Sequence, residues 1–460
     1  MGKLAARRLW PAGLAATLLA VAIGGASQIG HASAAAPAST APIDTAPPAA
    51  SPAAPADSGL GLVQRPPRHA LAFDPRDIER LAAGLVASGK VPGLALAIVQ
   101  DGRILSLRGY GVTDVHSGEP IDAHTVFRLA SLSKSFAGTL TGLLVNDGLL
   151  RWDSRLTDYV PQFRLAQPGA AEQVTLADLL SHRVGLTRNA FDRDLERDAD
   201  PRSLVLRMAN APMACAPGQC YAYQNVAFSL IGDVVFAATG QFYGEAVARR
   251  IFKPLGMHDA SYGLEGLEAS ARWARPHVRG RGGWVPVQPK PNYYRVAPAA
   301  GVNASISDMA QWLIAQLGDR PDVLPAPLLA TLHRPLVDTP VELHGSAWRR
   351  ARLTAAGYAL GWRAFAYAGH PVVFHGGAVQ GYRAAMALLP EQDLGVAILW
   401  NSESALPSGL LPTVLDRALG LPGGQWIEDE GEPEEPLPTL YARGQAPAGA
   451  DASAAQASPH

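Results

Sequence analysis

Strand-like runs sit at both ends of the central block of this chain and helical runs fill its middle, an order that limits the fold more than any other feature. LALAIVQ and RILSLRGYG are joined by Asp101-Gly102, a dipeptide that tolerates the positive φ angles of a two-residue hairpin turn. Near the far end, VVFHGG, YRAAMALLP and LGVAILW read as three further strands, separated by glycine or by a Pro/Glu/Gln/Asp turn. A helix precedes the hairpin: Asp74 caps it, Pro75 suits its first turn, and Ile78, Leu81 and Leu85 fall on one face. Between the two groups of strands the chain, roughly from 130 to 320, is mostly helical. TLADLLSHRVGL begins with Thr175 and Asp178 at capping-box spacing. NVAFSLIGDVVFAATG ends in a C-cap glycine, Gly240, and SISDMAQWLIAQLG repeats the helical pattern. A last helical stretch runs from about Gly409 to Leu419. The order predicts an α/β (α+β) protein: an antiparallel sheet assembled from both chain ends, flanked by helices, with an all-α insert.

The chain has 460 residues and an apolar fraction of 48%, enough for a sizeable core. Its net charge of −1 offers no basic stripe for phosphates, so a nucleic-acid partner is not expected. Residues 1–34 read as a signal peptide. Lys3, Arg7 and Arg8 precede the apolar GLAATLLAVAIGG, and HASAAA offers a cleavage site near Ala34. The apolar run is short for a membrane span. The expectation is a periplasmic or secreted protein with no stable membrane span after cleavage, the alternative being an uncleaved anchor. Residues 35–68 form an Ala/Pro-rich linker, 69–425 the folded domain, and 426–460 an acidic tail carrying EDEGEPEEP. The two cysteines, Cys215 and Cys220, flank a Pro-Gly. In an exported protein they predict a disulfide, with two free thiols as the alternative.

Among 39 basic residues five are lysines, and only Lys134, in FRLASLSKSFAG, follows a serine by three positions. On a helix, residues three apart share a face. Arginine is always charged, whereas a desolvated lysine can lose its proton. Lys134 can therefore act as a base for the Ser131 hydroxyl, the plainer reading being a surface serine and a snorkelling lysine. Two other stretches add reactive groups. Tyr223 and Asn225, in YAYQNVAFS, sit at a loop-to-helix entry. A phenol there can shuttle a proton, and an amide can both donate and accept; a core tyrosine and a helix cap are the alternatives. His375 ends the strand-like VVFHGG, whose glycines allow close approach to the backbone.

With these three motifs the chain resembles the serine hydrolases of the class C β-lactamase and penicillin-binding-protein fold. Ser131-Leu132-Ser133-Lys134 matches Ser-x-x-Lys, Tyr223-Gln224-Asn225 matches Tyr-x-Asn, and His375-Gly376-Gly377 stands where Lys-Thr-Gly is usual. LLSHRVGL, IFKPLGMHDAS, AAGVNASISDMAQWL and YALGW extend the likeness over about 75 to 420. The resemblance implies that Ser131 is the acylated nucleophile, Lys134 its activator and Tyr223 the proton relay. It implies that Asn225, His375 and Gly377 contact substrate, and that the backbone N–H groups of Ser131 and Ala378 form an oxyanion hole, with no metal or cofactor. His182 is expected to be structural. A histidine at 375 is mostly neutral at pH 7, which argues against potent β-lactamase activity and leaves acyl-enzyme chemistry intact. The implied substrates are small molecules or peptidoglycan fragments: β-lactams, D-amino-acid peptides or short esters. The alternative is a penicillin-binding receptor that is acylated without turnover.

Overall fold

The computed structural model describes residues 69–427; the expected signal peptide, the linker and all but the first two residues of the expected tail lie outside them. The first two strands, β1 (Gly93–Gln100) and β2 (Arg103–Gly111), form the expected hairpin. Asp101 and Gly102 both have positive φ, 52° and 70°, as a turn matched to strand twist requires.

The middle is helical in the main, with two small sheets that the sequence did not announce. Strands β3 (Val126–Arg128), β4 (Ser261–Tyr262) and β7 (Val302–Ser305) form one; β5 (His277–Gly280) and β6 (Gly283–Pro286) form the other. Strands this short leave little periodicity to read. The expected capping box of Thr175 with Asp178 is present, Ser305 and Asp308 form a second that the sequence reading did not single out, and Gly240 ends its helix in the left-handed conformation.

The last strands are β8 (Val337–Asp338), β9 (Leu353–Tyr358), β10 (Arg363–Tyr367), β11 (His370–Val379), β12 (Tyr382–Leu389) and β13 (Leu394–Trp400). They complete an eight-stranded antiparallel sheet in the order β2-β1-β13-β12-β11-β10-β9-β8. The chain ends meet at its centre, where Leu94 pairs with Trp400 and Gln100 with Leu394. Strand β1 is buried on both faces. Ala95, Ala97 and Val99 enter one apolar core, which contains helices Ser133–Asn146 and Ile306–Leu317; Leu94, Leu96 and Ile98 enter the other, with Pro75–Ala87 and Leu410–Ala418. A one-residue slip would exchange these two sets, so packing fixes the register. The second core extends into the expected tail: Trp426 and Ile427 pack against it, and the Trp426 indole donates to Asp416 at 2.8 Å.

Helix Ser133–Asn146 is buried from Ser133 to Leu144, which explains its apolar character all round. It touches the turn after β9 backbone to backbone. A Cβ on Gly138 would lie 2.0 Å from the Leu360 carbonyl oxygen, and one on Gly361 2.2 Å from that of Lys134. Gly138→Ala should therefore destabilise the protein by about 1–3 kcal/mol through overpacking, read as a lower urea midpoint at unchanged slope; an unchanged midpoint would mean that this seam is loose.

Candidate active site

Ser131 lies in the single 3₁₀ turn Ala130–Leu132, just before helix Ser133–Asn146. The preceding Ala130 has φ 49°, a left-handed conformation that a residue with a Cβ holds only when its surroundings impose it. Ser133 supplies part of that imposition. Its hydroxyl donates to the Ala130 carbonyl at 2.6 Å and accepts from the Val302 N–H at 3.0 Å, bolting the turn to β7. Ser131 is thus left as the serine of the motif that faces the cleft, where it is 5% exposed.

Lys134 is fully buried. Its Nζ donates to Ser131 Oγ at 3.3 Å, Asn225 Oδ1 at 2.7 Å and the Ala299 carbonyl at 3.1 Å. Those three acceptors match the three hydrogens of an ammonium. The Tyr223 hydroxyl donates to Ser131 Oγ at 2.9 Å, and the Tyr223 ring lies 4.6 Å from Lys134 Nζ. Asn225 donates through Nδ2 to Asp192 at 2.7 Å. That bond sets the amide so that its oxygen faces the lysine. Hydroxyl, amine, phenol and amide therefore meet in one buried cluster. Gly377 and Ala378 of β11 stand beside it. A Cβ on Gly377 would lie 2.4 Å from the Leu129 carbonyl and 3.1 Å from the Ser131 nitrogen, and Ala378 lines the same cleft as Ser131.

The expectation that His375 contacts substrate is not matched by its position. His375 is fully buried and does not line the cleft. A directed chain of hydrogen bonds holds its ring elsewhere. The Gln224 N–H donates to His182 Nδ1 at 3.2 Å, so His182 carries its hydrogen on Nε2, 3.2 Å from the Tyr358 hydroxyl. That hydroxyl donates to His375 Nε2 at 3.1 Å, leaving Nδ1–H of His375 for the Gly376 carbonyl at 2.7 Å. Burial, then the charges of Lys134 and Arg363, hold the pKa of His182 well below the histidine range. Burial, then Arg363 and Lys134, do the same for His375. His182 is structural as expected, and it ties the Tyr-x-Asn loop to the strand that carries Gly377.

The cationic group that faces the cleft from the sheet is Arg363 of β10, paired with Phe374 of β11 in register. It and Arg349 both bond Glu342, and all three are buried. Burial raises the Glu342 carboxyl pKa, but the two guanidiniums outweigh it and hold the group ionised. The Arg363 guanidinium lies 5.5 Å from the centre of the Tyr223 ring. Sequence reading missed Arg363, Tyr358, Asp192 and Tyr293. The stretch YALGW held Tyr358 in view and ends one residue short of Arg363, and only strand pairing shows that both turn toward the site. The cysteines do form a disulfide, with Cα atoms 6.2 Å apart, in the loop just before Tyr223.

A buried Ser-Lys-Tyr cluster beside an antiparallel sheet, with helices on both faces, defines the β-lactamase/transpeptidase-like class. The family model described as Beta-lactamase matches residues 78–419, and the chain belongs to that family. It is 28% identical over 336 residues to "Unguisins hydrolase ungD'" of Aspergillus campestris, covering 71% of this chain and 61% of the relative. It is 25% identical over 332 residues to "Protein flp" of Staphylococcus aureus (strain N315), covering 72% and 63%. The chain thus spans somewhat less than two thirds of the length of these curated relatives. Among solved structures, the octameric penicillin-binding protein homologue from Pyrococcus abyssi superposes with a TM-score of 0.67 at 24% identity, over 76% of this chain and 78% of that one. SurE gives 0.61 at 21% identity, over 82% and 80%. At these identities the two structures speak for the fold.

The hydrogen-bond chain has a spectroscopic consequence and a sign. The unfolded chain takes up protons on its histidines near pH 6.5, while the folded protein keeps His182 and His375 neutral to lower pH. Both therefore contribute stability that is intact above about pH 6.5 and is lost as the pH falls below it. In ¹⁵N NMR between pH 8 and 5.5, His182 should stay the Nε2–H tautomer and His375 the Nδ1–H tautomer; protonation of either ring near pH 6.5 would contradict this arrangement.

Proposed function

We propose that the protein is an exported serine hydrolase that forms an acyl-enzyme on Ser131 and then hydrolyses it, acting on small amides or esters. The observation that carries this reading is the convergence of Lys134 Nζ and the Tyr223 hydroxyl on one buried oxygen, Ser131 Oγ, at 3.3 and 2.9 Å. In its reactive form the pair carries one proton fewer, with Tyr223 deprotonated beside the Lys134 ammonium, and the phenolate oxygen accepts the Ser131 proton as Oγ attacks the carbonyl carbon. The oxyanion is received by the N–H groups of Ser131 and Ala378, each such donor lowering the barrier by about 3 kcal/mol. Collapse breaks the bond to the leaving amine or alkoxide, which takes the proton from Tyr223. A water molecule then gives a proton to the same pair, attacks the acyl carbon and releases the acid, and the proton returns to Ser131 Oγ.

Arg363 and Arg188 line the cleft, whereas His375 is neutral and buried. That charge favours substrates with an anionic group near the leaving side, such as β-lactams and D-amino-acid peptides, including peptidoglycan fragments. The disulfide suits an oxidising compartment, which supports a periplasmic or secreted location. Among the described residues no helix is long and apolar enough to cross a membrane.

The test uses nitrocefin, a D-alanyl peptide and p-nitrophenyl acetate, with mass spectrometry of the protein. A transient adduct on Ser131 with turnover is expected. Ser131→Ala should remain folded, form no adduct and lose roughly 10⁴- to 10⁶-fold in rate. A persistent adduct without turnover would instead mark an acylated receptor, and an adduct elsewhere would remove Ser131 from its role.

A further inference from the structure

All three residues of the Tyr-x-Asn motif are hydrogen-bonded to one segment, residues 187–192, that the sequence leaves as a loop. The Asn189 N–H donates to the Tyr223 carbonyl at 2.8 Å. The Gln224 side chain donates to the Thr187 carbonyl, and Asn225 Nδ2 donates to Asp192 at 2.7 Å. Left-handed backbone at Asn189 and Phe191, with φ 52° and 67°, leads into the short helix Asp192–Glu196, whose first residue lines the cleft. Four residues on, Glu196 accepts from the Tyr293 hydroxyl at 2.9 Å and anchors the far end of that helix. Asp192 is only 3% exposed. It is a braced carboxylate bonded to the motif rather than a surface acid.

Its charge reaches the chemistry through Asn225. Lys134 Nζ donates to three uncharged acceptors, Ser131 Oγ, Asn225 Oδ1 and the Ala299 carbonyl, and Asp192 stands one amide beyond the second of them. An amide that donates to a carboxylate is polarised, which makes its oxygen a stronger acceptor. A negative charge in that place favours the ammonium form of the lysine and opposes loss of a proton from the Lys134–Tyr223 pair as a whole. Cations act the other way. Lys134 Nζ and the Arg363 guanidinium lie 4.6 and 5.5 Å from the Tyr223 ring centre, and Arg188 lines the cleft. Arg363 is itself paired with Glu342, and His182 and Tyr358 pack on the phenol as neutral rings.

We propose that Asp192 is a positioning residue for acylation: through Asn225 its carboxylate keeps the proton of the reactive pair on Lys134, so that Tyr223 is the member that becomes the base. The proposal rests on the reading of Ser131 as the nucleophile of a hydrolase. Two consequences separate a charge effect from mere scaffolding. Without the carboxylate the pair gives up its first proton at lower pH, because a negative neighbour no longer opposes the loss. The proton that remains is then shared with Tyr223, so fewer molecules hold the phenolate and the plateau rate falls.

The experiment measures kcat/KM of the full chain between about pH 4.5 and 9, with mass spectrometry for the Ser131 adduct. The substrate is p-nitrophenyl acetate or nitrocefin, whichever the wild type turns over faster. Neither changes charge in that range, so the acid limb reports the enzyme. Asp192→Asn keeps an acceptor for Asn225 and removes the charge. Its acid limb should move down by about half a pH unit or more, and its plateau should fall about fivefold or more. Asp192→Glu, which keeps the charge, should return the limb toward its wild-type place. The position of the limb does not depend on how much of a preparation is active, so partial misfolding does not disturb it. A lower plateau with an unmoved or rising limb overturns the proposal, as does a shifted limb at an undiminished plateau. Failure of both variants to fold overturns it too, by making the residue purely structural. No turnover and no Ser131 adduct in the wild type overturns the hydrolase reading, whereas an adduct whose pH dependence ignores residue 192 overturns only this role.

Discussion

A buried ammonium with all its hydrogens engaged is the constraint on which the rest of this structure depends. Lys134 Nζ has no contact with solvent, and its acceptors come from three parts of the chain: Ser131 one turn before it, Asn225 from the Tyr-x-Asn loop and Ala299 from the segment before β7. Removing such a group from water costs several kcal/mol unless partners replace the lost hydration. The fold must therefore hold those segments in place, and the same requirement places the Tyr223 hydroxyl on the nucleophile. Stability and reactivity are both set by the geometry around one nitrogen.

Support for that geometry is layered. Ser133 ties the nucleophile turn to β7, and Gly138 and Gly361 let helix Ser133–Asn146 lie directly on the turn after β9. Behind Tyr223 the chain from Gln224 through His182, Tyr358 and His375 runs in one direction only, because each imidazole has one donor and one acceptor. Protonating either ring would give it two donors and break the alternation. The network thus keeps neutral groups behind the catalytic phenol while Lys134 and Arg363 supply the local positive charge.

The position of Arg363 changes what the His-Gly-Gly motif means. By its place in the motif, residue 375 suggests a group that meets substrate. In the fold its side chain is claimed by Tyr358, and a guanidinium from the neighbouring strand faces the cleft instead. The charge has moved to a different strand without leaving the site. Glu342 holds that guanidinium together with Arg349, so a buried carboxylate fixes the position from which Arg363 faces the cleft.

Local physical chemistry made much of this legible in advance. The Asp101-Gly102 turn, the capping box at Thr175, the C-cap at Gly240, the disulfide and the pairing of Ser131 with Lys134 all depend on contacts within a few residues, so the sequence alone determined them. The short strands β3 to β7, the burial of His375, the entry of Arg363 and the bracing of Tyr293 by Glu196 depend on partners tens to hundreds of positions away. Periodicity says which face of a strand a residue occupies but not what lies opposite it. Only tertiary structure, by filling each face with a particular neighbour, decided which of these side chains meets the cleft and which is sealed behind it.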